Sequence, residues 1–292
     1  MHVKGKVVVV TGAGRGIGRA LSMALARRGA RVALAGLHQE ELCNLQAQIA
    51  GEGGQAIAVP CDVREEAPVR QLMQEVLAAY GQVDILINNA GITLGGDLRL
   101  LSDQDWERAL SVNLWGVIRM VRAVLPHMLE RGSGYIVNIA SAAGLVAPAL
   151  WIPYSTSKFA VVGFSEGLCA AFRAKGVGVS VVCPMWVQTD LLKRPPPRLA
   201  ELHIPRTTLT SRRLARPWEW LVGHLPGRQI TVEVAAQRII RGIEREQFLV
   251  YTHGWTRLLV LARAIAPQTF SRLWDLVNAV DEERHRISAP EG

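Results

Sequence analysis

The sequence predicts an α/β protein built on one doubly wound parallel sheet. Strand-like and helix-like segments alternate from the first residues onward. The opening strand, Lys6–Val10, is a nearly unbroken β-branched run, the composition of a strand covered on both faces. It leads straight into a glycine-rich turn and from there into a helical pattern.

Each later element follows the same logic. Helical periodicity runs to Arg28 and is closed by Gly29, after which Arg31–Ala35 reads as the second strand. A helix over Glu40–Ala50 ends at Gly51, and Gln55–Pro60 is the third strand. Glu65–Tyr80 forms a third helix stopped by Gly81, followed by a strand at Asp84–Ile87. One long helix from about Ser102 to Glu130 precedes the strand Gly134–Ala140; another, from about Tyr154 to Ala174, precedes Gly178–Cys183. Beyond Asp190 the texture changes, and residues 193–230 are rich in Pro, Arg and Trp with weak periodicity. Thr231–Glu246 reads as a helix, Phe248–Tyr251 as a short last strand, and the tail from Trp255 as helical with an apolar, arginine-punctuated face. Strands and helices of these lengths imply βαβ units with right-handed crossovers. No internal repeat or low-complexity linker divides the chain. It reads as one domain: residues 1–251 a catalytic unit carrying a lid at about 191–230, and residues 252–292 a helical extension.

Of the 292 residues, 49% are hydrophobic and 20% charged. That is globular composition, with length enough to bury a core without metal or disulfide staples. The four cysteines, Cys43, Cys61, Cys169 and Cys183, lie far apart with no C-x-x-C pair, so they read as free thiols in a reducing compartment and not as a zinc site. The apolar run near the start is too short for a signal segment or a membrane span, and no later uninterrupted run reaches membrane length. A cytoplasmic protein is expected, with peripheral membrane contact as an added option.

The stretch Thr11–Gly18, TGAGRGIG, lies between the first strand and the first helix. Gly12, Gly14, Gly16 and Gly18 permit a tight turn and let backbone amides approach a pyrophosphate at the helix N-terminus, where the dipole favours negative charge. A glycine string alone says little; the strand before it and the helix after it give it weight. Asp62 follows the third strand, placed to accept a hydrogen bond from an adenine amine, with Val63 beside it. NNAG, residues 88–91, follows the fourth strand, where Asn89, Ala90 and Gly91 would let backbone lie against a cofactor. Either could be an ordinary turn, yet both fall at carboxyl ends of strands, where ligands bind in open α/β sheets.

Tyr154 and Lys158 stand four residues apart at the start of a helix, after Pro153, and so share a face. A free tyrosine titrates at about 10, and a nearby cation stabilises the phenolate, bringing the group toward proton exchange with an alcohol or ketone. Ser141, at the end of the strand upstream, can donate to a substrate oxygen. Asn113, inside the long helix, could interrupt helical bonding with its side chain and hold a water. In isolation Tyr-x-x-x-Lys is common and usually a solvated helix face.

Together these residues resemble the short-chain dehydrogenase/reductase family, over residues 5–190 and more loosely over 231–251. The family's TGxxxGIG appears as Thr11–Gly18, its acidic adenine contact as Asp62, its NNAG as Asn88–Gly91, and its Asn-Ser-Tyr-Lys set as Asn113, Ser141, Tyr154 and Lys158. The resemblance implies a Rossmann-type fold, an NAD(P) cofactor, and hydride transfer between nicotinamide and a carbonyl or alcohol carbon. On that template Tyr154 is the acid/base. Lys158 lowers its pKa and binds the nicotinamide ribose, Ser141 orients the substrate oxygen, and Asn113 carries the water of a proton relay. The template also implies Ile17 in the cofactor turn, and a homodimer or homotetramer packed through the helices at about 102–130 and 154–174.

Two departures stand out. The family's PGxVxT loop reads Pro184-Met185-Trp186-Val187-Gln188-Thr189. Val187 and Thr189 still suit the carboxamide, but Met185 replaces a glycine, so its thioether is expected to reach toward the substrate pocket and to forbid glycine-only backbone. The second departure is at the end of the second strand, where NAD-preferring members carry Asp at position 36 and NADP-preferring members often carry Arg at 37 and a basic residue at 15. Here Gly36 removes the carboxylate, Leu37 removes one arginine, and Arg15 remains, with His38 close by. A 2′-phosphate would then meet one guanidinium and no repulsion, which favours NADP(H) over NAD(H).

Trp151 and Trp186 flank the catalytic residues in sequence, and the lid adds Pro195–Pro197, Trp218, Trp220, Leu221 and Leu225. A bulky apolar carbonyl or alcohol is the expected substrate, although such tryptophans could equally pack a lid onto the body. The formal charge of +8 is concentrated between Lys193 and Arg228, with eight basic residues against Glu201 and Glu219. No helix-turn-helix, finger or RNP-like pattern accompanies it, which argues against nucleic acid. The basic segment 193–228 and the stretch 255–277 are where a thioester's phosphates or an anionic bilayer would be met. Besides a general oxidoreductase, the sequence leaves open a 3-oxoacyl-thioester reductase and a nucleotide-binding regulator silenced by Met185.

Overall fold

The computed structural model describes residues 1–189 and 229–275. Seven strands form one sheet in the order β3-β2-β1-β4-β5-β6-β7, every neighbouring pair parallel. They are β1 (Val7–Thr11), β2 (Arg31–Gly36), β3 (Gln55–Pro60), β4 (Ile85–Asn88), β5 (Gly134–Ile139), β6 (Val177–Cys183) and β7 (Leu249–Tyr251). All seven lie where the sequence puts them, within a residue or so at each end. The order reverses between β1 and β4, which opens a crevice at their carboxyl ends.

Alternation along the strands divides the core into two layers. Val8 and Val10 of β1 face Leu21 and Leu25 of α1 (Gly16–Ala26), Leu42 and Leu45 of α2 (Gln39–Gly51), and Ile239 and Ile243 near the chain's end. Val7 and Val9 face the opposite layer, built on Leu72 and Val76 of α3 (Glu66–Tyr80) and on Met120 and Val124 further along. Both layers are fully buried, which is why β1 can be almost pure valine.

The long helix expected from Ser102 to Glu130 runs from Asp103 to Glu130 but is not α-helical throughout. It is α4 (Asp103–Leu110), a π-helical turn at Ser111–Trp115, and α5 (Gly116–Glu130). Ser102 opens it with a capping box to Asp105. Among the described residues this is also the one stretch long and apolar enough to cross a membrane, with mean hydropathy 1.2. Its apolar face is spent inside the fold, since Met120, Val121, Val124 and Met128 pack against the sheet. Next come α6 (Ile152–Phe172), with Pro153 in its first turn, α7 (Val232–Glu244), capped by the Thr231 side chain, and α8 (Gly254–Ile265).

At the edge away from the crevice, Asp84 pins the sheet to its surroundings. Its buried carboxylate accepts from Val7 N at 2.8 Å and pairs with Lys6 and with Arg131 at 3.1 Å. Burial alone would push this carboxyl up, but those bonds and charges outweigh it and hold Asp84 below its ordinary value.

The extension folds back onto the crevice. Trp274 Nε1 donates to Ala147 O at 2.8 Å, and the Arg263 guanidinium bonds Leu145 O while standing 5.3 Å above the Phe159 ring. Most of the expected lid, including Pro195–Pro197, Trp218, Trp220, Leu221, Leu225 and the basic run 193–228, lies outside the described residues.

Candidate functional site

The glycine turn, Asp62, Asn88–Gly91, Ser141 and the start of α6 all gather at the carboxyl edge of the sheet. The glycine turn is clamped by a residue not counted among the site candidates, Thr11: its Oγ1 accepts from Asn89 N at 2.9 Å and Ala90 N at 3.0 Å. Asn89 returns the contact, its Nδ2 donating to Thr11 O and Gly12 O at 3.0 and 3.1 Å. The glycines serve different ends. A Cβ on Gly18 would sit 2.2 Å from Gly12 O, so only glycine lets α1 close on the turn, whereas Gly16 is held at φ +53°. Gly12 packs on Ala90, and Gly91 leaves 3.5 Å between its missing Cβ and Lys158 Nζ. Ile17 packs with Val187 and Ile230, closing the turn from the side of β6.

The turn, the bare backbone of Asn89–Gly91 and the start of α1 therefore make a narrow polar cradle that side chains have been kept out of. That fits a dinucleotide held by main-chain amides. At its rim, however, Arg15 is already engaged: its Nε donates to Glu41 Oε1 at 2.8 Å, and Nη2 bonds the same oxygen. The expected unopposed guanidinium is thus corrected, because a carboxylate stands beside it. Gly36 ends β2 and Leu37 turns outward, 61% exposed, with His38 exposed after it. Asp62 is held by Arg64, whose backbone N and guanidinium both bond it, and these bonds lower its pKa. Any adenine contact must therefore share that carboxylate's remaining lone pairs. Val63 packs instead on Gly116, where a Cβ would come within 2.7 Å of it.

The candidate catalytic set converges at the ends of β5 and α6. Ser141, whose Oγ accepts from Ala143 N at 3.1 Å, stands beside Tyr154, and its hydroxyl favours the phenolate. Lys158 lies one helical turn on, its Nζ donating to Ile139 O at 3.0 Å and standing 5.7 Å from the Tyr154 ring centre. Burial pushes the Tyr154 phenol up, and the adjoining Ser141 hydroxyl opposes it; burial also lowers Lys158 to about 8. The lowering of Tyr154 expected from a neighbouring ammonium does not outweigh desolvation here: Lys158 is buried with its Nζ bonded to Ile139 O, while Tyr154 is partly exposed.

Asn113 also differs from expectation. Its side chain is committed to protein partners: Oδ1 accepts from Ile92 N at 2.9 Å, and Nδ2 spends both its donors on Ile92 O and Ser157 Oγ, each at 3.0 Å, leaving one Oδ1 lone pair. Ser157 in turn bonds Tyr154 O at 2.6 Å, so Asn113 ties the π-turn to the helix that bears Tyr154. A π-turn displaces the helical ladder and frees a carbonyl, so a water there would be held by main chain. Asn88 joins Asn138 and, through it, Ser165, a buried polar chain that sequence pattern does not reveal, since asparagines in strands have no periodic signature.

Two pairs of aromatic contacts flank the cluster. Trp151 meets Tyr154 edge-on at 6.0 Å, and Trp186 packs on Trp255 at 5.2 Å. Met185 is not aimed as expected. Its N donates to Thr252 Oγ1 at 3.2 Å and its sulfur receives Thr256 Oγ1 at 4.0 Å, which turns the thioether toward the extension. Pro184 O accepts from Ala142 N at 2.8 Å and Val187 bridges to Ile230, while Thr189 approaches Gly16 to within 3.5 Å of where its Cβ would lie. The loop thus spans from Ser141 to the glycine turn. Among the described residues no cluster of His, Cys, Asp or Glu could hold a metal.

A doubly wound sheet with this cradle and this Ser-Tyr-Lys cluster defines a class of dinucleotide-dependent oxidoreductases, and a family model agrees. The model for short chain dehydrogenase matches residues 6–198, and the chain belongs to that family as an NAD(P)-dependent oxidoreductase. Among curated relatives, D-threitol dehydrogenase of Mycolicibacterium smegmatis is 43% identical over 65% of this chain and 73% of its own length. The ketoacyl reductase HetN of a Nostoc species is 31% identical over 97% of this chain and 92% of its own. A crystal structure of a short chain dehydrogenase/reductase from Burkholderia phymatum in complex with NAD has 32% identity and TM-score 0.76, covering 92% of this chain and 96% of its own.

Proposed function

We propose that this protein reduces a carbonyl, or oxidises the matching alcohol, of a bulky apolar substrate, with Ser141, Tyr154 and Lys158 as the reacting set. The observation that carries the reading is the convergence of Ser141, Tyr154 and Lys158 at the mouth of the cradle, Lys158 Nζ standing 5.7 Å from the Tyr154 ring centre, with aromatic rings alongside. A bound nicotinamide supplies or accepts the hydride. In the reducing direction Tyr154 gives its phenolic proton to the carbonyl oxygen while Ser141 donates a hydrogen bond to the same oxygen. Lys158 stabilises the resulting phenolate and lies close enough to Gly91 to reach the ribose. Asn113 acts as a positioning residue, fixing α6 through Ser157. Gly12, Gly14, Gly16, Ile17, Gly18, Asp62, Asn89, Ala90, Gly91, Pro184, Val187 and Thr189 form the cofactor's surroundings, and Trp151 and Trp186 the substrate wall. On this reading residues 1–251 are the catalytic unit, 191–230 its lid, and 252–292 an extension that shapes the substrate side.

The sequence alone favours NADP(H), on an Arg15 with no acid in view. Its pairing with Glu41 moves the reading to NAD(H). Tyr154→Phe tests the chemistry: turnover of the best alcohol or ketone in a panel should fall at least about a hundredfold. A variant as active as the parent would end this assignment.

A second reading, reduction of a 3-oxoacyl thioester, is supported by the likeness to the Nostoc ketoacyl reductase over nearly the whole chain. Acetoacetyl thioesters belong in the same panel, and tight cofactor binding without any turnover would instead mark a silent regulator. Assembly as a dimer or tetramer through α5 and α6 is supported by Trp115, half exposed on that side. The outward Leu258, Leu261 and Ile265 of α8 support contact with a membrane surface as an accessory property of a cytoplasmic enzyme.

A further inference from the structure

We propose that Glu41, in the first turn of α2, does the work of the carboxylate missing at Gly36: it accepts from the adenosine ribose hydroxyls and sets the preference for NAD(H). The inference rests on the reading of the glycine turn as the dinucleotide site.

The end of β2 offers a ribose nothing polar. Gly36 itself carries no side chain, a Cβ there would only touch Leu42 Cδ2 at 3.4 Å, and the Gly36 carbonyl is taken by Cys61 N at 2.8 Å. Leu37 and His38 point to solvent. One turn further on, Glu41 leans back over the glycine turn. Its Oε2 lies 2.7 Å from the position a Cβ on Gly14 would occupy, so Gly14 lacks a side chain where this carboxylate approaches. Its Oε1 takes two bonds from Arg15.

The bland account is that acidic residues favour the first turn of any helix and that exposed ion pairs contribute little. Glu40 satisfies the dipole equally well and is fully exposed, whereas Glu41 is only 27% exposed and is the one directed at the turn. The Arg15–Glu41 pair presents a near-neutral surface with an acceptor oxygen facing the cradle. Ribose hydroxyls can donate to that oxygen, a charge-assisted bond. A 2′-phosphate would bring two negative charges against it and would have to win Arg15 from a partner it already holds in a two-bond grip.

The experiment is direct fluorescence titration of the full chain with NADH and NADPH. The parent should bind NADH at least about tenfold tighter, equivalent to about 1.4 kcal/mol. Glu41→Gln should weaken NADH and strengthen NADPH, shifting the ratio by at least tenfold, and adding Arg15→Ala should abolish the NADPH gain. Placing Gly36→Asp in the Glu41→Gln background should restore the preference for NADH, since a side chain fits there beside Leu42. A parent that prefers NADPH, a ratio unmoved by Glu41→Gln, or equal weakening of both cofactors would overturn the proposal. If the parent binds neither, the dinucleotide site itself has been misread and this inference falls with it.

Discussion

Replacing Lys158 with methionine should make the protein more stable while destroying its activity. Lys158 is 4% exposed, and burial lowers its pKa from 10.5 to about 8. At about 1.4 kcal/mol for each pH unit, holding that ammonium inside the fold costs the native state about 3 kcal/mol at pH 7. Methionine has similar length and no charge. It forfeits the bond to Ile139 O, worth about 1 kcal/mol, and leaves that carbonyl under-satisfied. The net gain expected at pH 7 is about 1–2 kcal/mol, measurable by urea unfolding.

The pH dependence gives the sharper test. Because the folded-state pKa is depressed, below about 8 both folded and unfolded chains carry the proton and the whole penalty applies. Between about 8 and 10.5 the unfolded chain holds more protons, so the parent gains stability as pH rises. The advantage of Lys158→Met should therefore shrink by about 1 kcal/mol between pH 8 and pH 9. Comparing variant with parent cancels the opposite trend from Cys61, whose thiol burial raises to about 11. A variant less stable than the parent at pH 7, or an advantage that stays constant with pH, would refute the argument.

Other substitutions probe the frame around the site. Gly18→Ala forces a Cβ to within 2.2 Å of Gly12 O, so α1 must shift; we expect a loss of about 3 kcal/mol in urea unfolding together with loss of NADH binding. Asp84→Ala should cost about 2–3 kcal/mol by stranding Arg131 and Val7 N. Since the Asp84 pKa is depressed, its contribution is present above about pH 4 and lost as pH falls further, so the variant's acid-unfolding profile should be flatter than the parent's. Leu258→Ser with Ile265→Ser should abolish co-sedimentation with phosphatidylglycerol vesicles; equal binding by parent and variant would remove α8 from any membrane role.

The seven strands were legible because their pattern is carried by side chains that alternate between two buried layers, and a valine run leaves no other option. The glycine turn and the Ser141, Tyr154 and Lys158 set were legible from type and spacing. What escaped the sequence are contacts between distant segments. Glu41 looks like any acid at a helix start until α2 is docked beside the glycine turn. The π-turn at Ser111–Trp115 has no compositional mark; it exists because Asn113 spends its amide on Ile92 and Ser157, each brought in by another element. Tyr154 and Lys158 share a helix face as their spacing implies, but desolvation, which spacing does not reveal, moves the phenol up and the ammonium down.

The Met185 loop shows how a local departure and a long-range addition compensate each other. Without glycine at 185 the left-handed conformation appears one residue later, at Trp186, with φ +42°, where a bulky side chain carries a strain of about 1–2 kcal/mol. Such strain persists only when neighbours hold it. Here Thr252 Oγ1 holds Met185 N, Thr256 meets its sulfur, and Trp255 packs on the Trp186 ring. All three partners lie between the end of β7 and the first turn of α8, and Trp274 further along fastens the same extension to Ala147, close to Trp151. The extension therefore touches the loop that joins Ser141 to the glycine turn, and it fixes the Trp186 ring against Trp255. A glycine at 185 would remove the need for these contacts, and a shortened chain would remove the contacts that make Met185 tolerable.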